Sequence, residues 1–424
     1  MVLLLMSILV IFMLLSFPLK VSLLLSPLAV VLVFMPEIDP VFLVQQMVSG
    51  VEVFVLLAVP MFIFAADIMC TGQTADRLLD FVERFIGHVR GGLGITTAAA
   101  CTFFGAISGS TQATVVAIGK PMQKRLIKAG YAEKDIYSLI ISSANIALLI
   151  PPSVVMIMYA VMTGVSVSDL FIAGIGPGLL ILVFFAVYNF FAAKKNNIPV
   201  APKATWAERL HAFKRAILPM GFPAIIIGGI YTGLFSPTEA AAASVLYAFI
   251  LEVLIFKSVK IKDIPSIALS SGMVTSVVFV LVAAGMGFSW VISLARIPQM
   301  ISASILGTDP SALWILFVVT IFYFIGCMFV DQLVVIIILA PIFIGPAIAA
   351  GIDPLHLGII VTLQSAIGAV TPPFGCNIFT ACAVFDKSYS QVVKGLAPYM
   401  IMFVIVSILM IFFPEIALFT TRFL

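Results

Sequence analysis

Four short stretches carry the residues best equipped for chemistry. They are Ser108-Gly109-Ser110-Thr111, Asn145 through Ser153 with Pro151-Pro152 near its end, Gly326 to Gln332, and Gly368 through Gly375 with Thr371-Pro372-Pro373. Each interrupts an otherwise apolar run. A proline inside a helix removes an N–H and displaces the carbonyl one turn earlier, so a double proline leaves several carbonyls without intrahelical partners. Such carbonyls, joined by serine and threonine hydroxyls, make an oxygen cage for a dehydrated Na⁺. The N-terminal ends of half-helices instead turn N–H groups and a partial positive charge toward an anion. Ser108 and Ser110, with the carbonyls of Ala147, Ile150 and Pro152, are expected to form one Na⁺ cage. Gly326, Met328, Gly368, Thr371 and Pro373, joined by Asp331, are expected to form its counterpart, while Thr111, Asn145, Ser153 and Gly375 are placed to face a solute.

The acids divide by position. Asp331 is the one acid expected deep in a hairpin, where a carboxylate is expensive and a cation is its expected partner. Asp67 and Glu52 lie near the ends of apolar runs and are expected at the interface. Glu239, three residues after Ser236, reads as half of a capping box. The five cysteines sit in apolar surroundings without ligand spacing, and the three histidines are scattered, which speaks against a haem or zinc site. Neither a Ser/His or Cys/His constellation nor a phosphate-cradling glycine loop followed by Lys-Ser/Thr is present. The residues thus point away from an enzyme or an ATP-driven pump, and no cofactor is expected.

The elements that hold these stretches must lie in a bilayer. Of the 424 residues, 62% are hydrophobic and 10% charged, against about 25% charged in soluble domains. The net charge of +3 suggests no nucleic-acid partner. Apolar runs able to cross about 30 Å of hydrocarbon fall at 2–17, 19–35, 51–70, 136–161, 168–192, 216–235, 238–256, 266–290, 356–383 and 396–415. The first lacks a basic start and a cleavage site and is kept as a span. Two longer stretches, 91–127 and 311–349, are broken by small or polar residues and read as re-entrant hairpins, tolerated only where buried or lining a wet cavity. With the N-terminus outside, every lysine and arginine except Arg296 and Arg422 falls on one side, which fits the positive-inside rule. Both termini are then expected on the periplasmic side.

The chain also resembles itself at a spacing of 220 to 221 residues: Pro121 falls opposite Pro341, Gly130 opposite Gly351, Pro151–Pro152 opposite Pro372–Pro373, and Gly174 and Pro177 opposite Gly395 and Pro398. The first unit opens with a span running inward and the second with one running outward. Inverted repeats of this kind characterise secondary transporters, with the site where the repeats meet. Four segments result: 1–50, N-terminal scaffold helices; 51–193, the first repeat; 194–265, a cytoplasmic loop and connecting helices; and 266–424, the inverted second repeat. After the first span of each repeat, 71–90 and 291–310 read as interfacial amphipathic arms, the second carrying only Arg296 and Asp309 as charges.

The stretch Gly233-Leu234-Phe235-Ser236-Pro237-Thr238-Glu239-Ala240-Ala241-Ala242, the two Pro-Pro breaks and the Phe104-Gly105-Ala106-Ile107-Ser108-Gly109-Ser110 tip resemble the large membrane subunit of tripartite ATP-independent periplasmic (TRAP) transporters over nearly the whole chain. The resemblance implies an all-α integral membrane protein of inverted-repeat, elevator type, with about ten spanning helices, two re-entrant hairpins and two broken helices. It implies Na⁺-driven uptake across a bacterial inner membrane, with a small membrane subunit, expected as a separate chain, and a periplasmic solute-binding protein as partners. The hairpins and broken helices would move against a scaffold made of the rest. The substrates implied are organic acids, with the sialic acid members favoured. A stand-alone Na⁺/dicarboxylate carrier is the alternative within transporters, and a passive anion channel, which also uses paired half-helices, is the alternative from another class.

Overall fold

The structure, a computed structural model, describes residues 1–15, 17–307 and 310–423 and contains no strand among them. Ser16, inside the first expected span, and Asp309, on the second expected arm, lie outside the described residues. The chain opens with α1 (Val2–Leu14), α2 (Leu19–Phe34) and α3 (Val41–Val51). The first repeat follows: α4 (Ala58–Thr71), α5 (Thr74–Ile86), a hairpin of α6 (Gly92–Ser108) and α7 (Thr111–Lys128), and a helix broken into α8 (Glu133–Ala144) and α9 (Val154–Thr163), then α10 (Val167–Lys195). Helices α11 (Trp206–Tyr231) and α12 (Pro237–Phe249) connect to the second repeat. There the same succession recurs as α13 (Ile264–Leu294), α14 (Ile297–Ile301), a hairpin of α15 (Ala312–Phe329) and α16 (Gln332–Ala349), broken helix α17 (Pro354–Gly368) and α18 (Cys376–Phe385), short α19 (Tyr389–Val393), α20 (Ala397–Phe412) and α21 (Glu415–Leu418).

Among the described residues, seven helical stretches are long and apolar enough to cross a membrane: Phe54–Thr71, Val167–Lys195, Trp206–Tyr231, Pro237–Ile255, Ile261–Leu294, Ala312–Phe329 and Gln332–Ala349. The protein is a multi-pass, all-α membrane protein. Several helix starts are written locally. Ser236 and Glu239 form the expected capping box on α12, with Ser236 N–H donating to Glu239 Oε2 at 2.8 Å. Thr205 and Glu208 do the same for α11, with the Thr205 N–H donating to Glu208 Oε2 at 2.7 Å. One helix ahead of the first repeat was not expected. The span starting at 51 is preceded by α3, a short helix whose Leu43, Met47 and Gly50 pack against α13 at Met286 and Gly287. Pro36, Pro40 and Gln45-Gln46 make that stretch read as a connector.

Helix α5 is the expected first arm. Its Leu78, Leu79 and Val82 are buried, and it packs on α6 and α11. Its first turn has no cap of its own. Glu252, fully buried in a π-helical extension of α12 (Ile250–Ile255), supplies one: it accepts from the N–H groups of Gln73 and Thr74, both at 3.2 Å, and from the Thr74 hydroxyl at 2.5 Å. The Ser258 hydroxyl also donates to it. A carboxylate there satisfies orphan donors and the helix dipole together.

Ion pairs Arg125–Glu83, Arg84–Glu208 and Lys387–Glu133 tie the base of hairpin one to the arm, the arm to the first turn of α11, and the end of the second broken helix to the start of the first. The three basic residues, Arg84, Arg125 and Lys387, are expected on one membrane face. The two repeats then interlock. The first limb of each hairpin packs on the first half of its own broken helix (α6 on α8, α15 on α17), and the second limb packs on the other repeat's second half (α7 on α18, α16 on α9). Helices α10 and α20 brace this unit through Phe185, which meets Tyr399 and Phe403 edge-on.

Candidate solute and ion site

Both expected breaks are present. In the first repeat α8 gives way to a 3₁₀ turn, Asn145–Leu148, and the chain restarts as α9 only at Val154. In the second, α17 ends at Gly368 and α18 begins at Cys376. Both Pro-Pro bonds, 151–152 and 372–373, are cis. The hairpin tips abut the breaks. Gly109 holds φ +58°, and a Cβ there would run into the Pro152 carbonyl oxygen. Gly105 lies against Ala147, and 221 residues on, Gly368 lies against Cys327 between Gly326 and Met328. Close approach of backbones is thus a shared property of the two halves.

At tip one Ser110 caps α7, its hydroxyl accepting from Ala113 N–H at 3.3 Å. Ser108 Oγ lies 3.2 Å from the Ser110 carbonyl and 3.1 Å from Thr114 Oγ1. The hydroxyls of Ser108 and Thr114 and the Ser110 carbonyl therefore meet within hydrogen-bonding distance, with the Ser110 hydroxyl at the cap of α7 and the Pro152 carbonyl against Gly109, all of them neutral oxygens suited to a hard monovalent cation. The hydroxyls of Ser142 and Ser143, fully buried on the last turn of α8, have no partner among the described residues, so further oxygen is in reserve beside this break. At tip two Asp331 takes Ser110's place as cap, accepting from Leu333 N–H at 3.0 Å, and is solvent-accessible. Thr371 donates back to the Ile367 carbonyl at 2.7 Å, and Gly375 makes the tight return to α18, where its Cβ would meet Ala369 and Thr371 backbone.

A cavity of about 470 Å³ joins the tips to α4 and α13. Its walls include Ser108, Gly109, Ser110, Gln112 and Ala113 from tip one, Asp331, Gln332 and Leu333 from tip two, Asp67 from α4, and Val274, Val277, Val278 and Leu281 from α13. A larger groove of about 530 Å³ beside Pro60, Phe64 and Gly272 carries no charged group among the described residues, so the cavity at the tips is the candidate site. No group of His, Cys, Asp and Glu able to hold a transition metal occurs among the described residues.

Residues 6–416 match the family described as "Tripartite ATP-independent periplasmic transporter, DctM component". The chain belongs to that family. Among relatives of this TRAP permease are the ectoine/5-hydroxyectoine large permease of Ruegeria pomeroyi, 56% identical over 89% of this chain and 88% of its own, and the ectoine large permease of Halomonas elongata, 54% identical over the same shares. The sialic acid large permease of Vibrio cholerae is 32% identical over 89% of this chain and 88% of its own. The preference for sialic acid therefore finds no support in similarity. Among solved structures, the YdaH transporter of Alcanivorax borkumensis superposes with a TM-score of 0.61 over 88% of this chain and 87% of its own at 15% identity, a likeness of fold alone. The relatives are named as transporter permeases, and the permease is not an enzyme.

The structure distributes the expected residues unevenly in this permease. Ser108, Ser110 and Asp331 line the cavity. Thr111, Asn145, Ser153 and Gly375, expected to face the solute, are not among the residues lining this cavity. Thr111 donates to Asn377 Oδ1 at 3.0 Å, Asn377 donates to Asn145 Oδ1 at 2.8 Å, and Asn145 donates to the Ile141 carbonyl at 3.0 Å, a fully buried chain that stitches the two broken helices together. Ser153 is buried as the cap of α9, accepting from Met156 N–H at 3.4 Å. Asp67, expected at the interface, instead faces the cavity and accepts from Ser271 on α13 at 2.5 Å. Glu52 is exposed at the end of α3. Sequence reasoning missed Asn377, Glu252 and Ser271. A polar residue inside an apolar run was their only signal.

Proposed function

We propose that this permease imports an ectoine-type compatible solute, a cyclic amidinium carboxylate, in symport with Na⁺, together with a small membrane subunit and a periplasmic binding protein in a bacterial inner membrane. The observation that carries the substrate is identity of 56% and 54% to two ectoine permeases along nearly the whole chain. The coupling ion rests on the neutral oxygens gathered at tip one. Ser108, Ser110, Ala147, Ile150 and Pro152 serve the first Na⁺, and Gly326, Met328, Asp331, Gly368, Thr371 and Pro373 the second. Cavity-lining groups of the two tips meet the solute, and Thr111, Asn145, Ser153 and Gly375 hold those tips from one layer behind.

The mechanism follows from the layout. Hairpins and broken helices interlock across the repeats and move as one body against α1–α4 and α11–α13, in the elevator manner, with the arms as tethers. Both termini lie on the periplasmic side. A zwitterion carries no net charge, so each Na⁺ moving inward with it gains about 2.3 kcal/mol per 100 mV of membrane potential. Coupling requires that Na⁺ order the tips before translocation, a population shift toward the loaded, mobile form.

The test is uptake of labelled ectoine into proteoliposomes holding the reconstituted system under an inward Na⁺ gradient. The wild type accumulates ectoine, and Ser108→Ala with Ser110→Ala abolishes Na⁺-dependent uptake at unchanged protein level. Accumulation of succinate but not ectoine refutes the substrate, and Na⁺-dependent uptake surviving both substitutions refutes the first cage.

A further inference from the structure

We propose that Asp67 is the scaffold residue that receives the cationic end of the solute. The proposal rests on the zwitterionic substrate read above and assigns the recognising group. The cavity holds two carboxylates, Asp67 and Asp331, on walls from different elements, and among the described residues no lysine, arginine or histidine lines it. Such a wall repels a dianion and suits a molecule that brings a positive group, because charges meeting in a site only partly open to water interact far more strongly than in bulk solution.

The two acids are not equivalent. Asp331 caps α16 and is assigned to the second Na⁺ by the reading above. Asp67 has no ion-pair partner among the described residues and accepts one side-chain hydrogen bond, from a Ser271 hydroxyl that also reaches the Ile267 carbonyl at 3.0 Å. A half-buried carboxylate on a spanning helix, served by a single shared hydroxyl, is costly. A transient cation from the cargo offsets that cost without locking the site. Place strengthens the case. Asp67 also borders a second space of about 320 Å³, lined by Cys70, Thr71, Ser266, Ile267 and Ser270. It therefore stands where the cavity at the tips adjoins a polar cleft between the end of α4 and the start of α13. That end of α13 follows Lys257, Lys260 and Lys262, so the cleft lies toward the basic, cytoplasmic face. The solute's amidinium meets Asp67 on the way inward.

An interhelical clamp between α4 and α13 would use the same Asp67–Ser271 hydrogen bond, and the experiment separates the two roles. The complex is reconstituted in proteoliposomes, and ectoine counterflow is measured against ectoine concentration on the cytoplasmic side. Asp67→Asn raises the cytoplasmic-side KM at least about fivefold with the maximal rate within about twofold, whereas Ser271→Ala, which keeps the carboxylate, moves KM by less than about twofold. A KM for Asp67→Asn within twofold of wild type overturns the proposal. So does a Ser271→Ala variant that matches Asp67→Asn, as a clamp requires, or a loss of Na⁺ dependence at unchanged KM, as an ion ligand requires. Should Asp67→Asn fail to reach the membrane, Asp67→Glu decides: its advanced carboxylate changes KM at least about threefold, and an unchanged KM overturns the assignment. Absence of ectoine counterflow in the wild type is a different failure. It refutes the substrate reading and takes this proposal with it.

Discussion

The two breaks are built to one plan but finished differently. In the first repeat every residue from Ile141 to Ser153 is buried. In the second, Pro372, Pro373 and Phe374 are exposed, and the Phe374 ring rests on the equally exposed Phe329, centroids 5.6 Å apart. The tips differ in the same sense. Gly109 turns through the left-handed region, while Val330, 221 residues later, is extended at φ −129°. The comparison teaches that internal repetition fixes where the backbone opens, not how tightly it is enclosed. The first half is a sealed, polar-stitched joint with hydroxyl-lined oxygens. The second is an open joint whose tip carries a carboxylate, Asp331, as the cap of α16.

Exchanging features between the halves probes this contrast. The largest effect belongs to Gly109→Val. A β-branched residue in the left-handed region costs about 1–2 kcal/mol, and its side chain meets the Pro152 carbonyl, so uptake falls at least about tenfold. Val330→Ala, at the corresponding place, leaves uptake within about twofold. Next is Asn145→Ala, which strips Asn377 of its acceptor. With one buried amide left unpaired, stability falls by about 1–3 kcal/mol, read as a lower melting temperature in detergent. Asn377→Ala lowers it comparably, and the double variant loses less than the sum because both act on one network. Ser153→Ala removes the cap of α9 and costs about 1 kcal/mol. Phe374→Ala has the smallest effect, within about 0.5 kcal/mol. If Phe374→Ala destabilised the permease as much as Asn145→Ala, the second joint would be as closed as the first.

Much of this was legible because interruption of an apolar run is a local signal. Pro151-Pro152, Pro372-Pro373 and the Ser108–Thr111 tip announce themselves by residue type. The capping box at Ser236–Glu239 lies within four residues. What escaped depends on distant partners. Asn377 matters through Asn145, 232 residues away, and from sequence is one polar residue at the start of an apolar half-helix. Asp67, four residues short of the end of α4, read as interfacial because nothing nearby shows that Ser271 stands opposite. Helix α3 escaped for another reason: at 11 residues it is too short to register as a span, and its prolines and glutamines resemble a linker.

Glu252 constrains how the permease is made. The donors it satisfies, at Gln73 and Thr74, precede it by 179 and 178 residues. During synthesis the first arm therefore emerges, together with the whole first repeat, before the group that anchors it exists. The orientation of that arm is set retroactively, when α12 enters the bilayer. A chain halted before residue 252 would hold both its hairpin and its broken helix but lack the fastener for their tether.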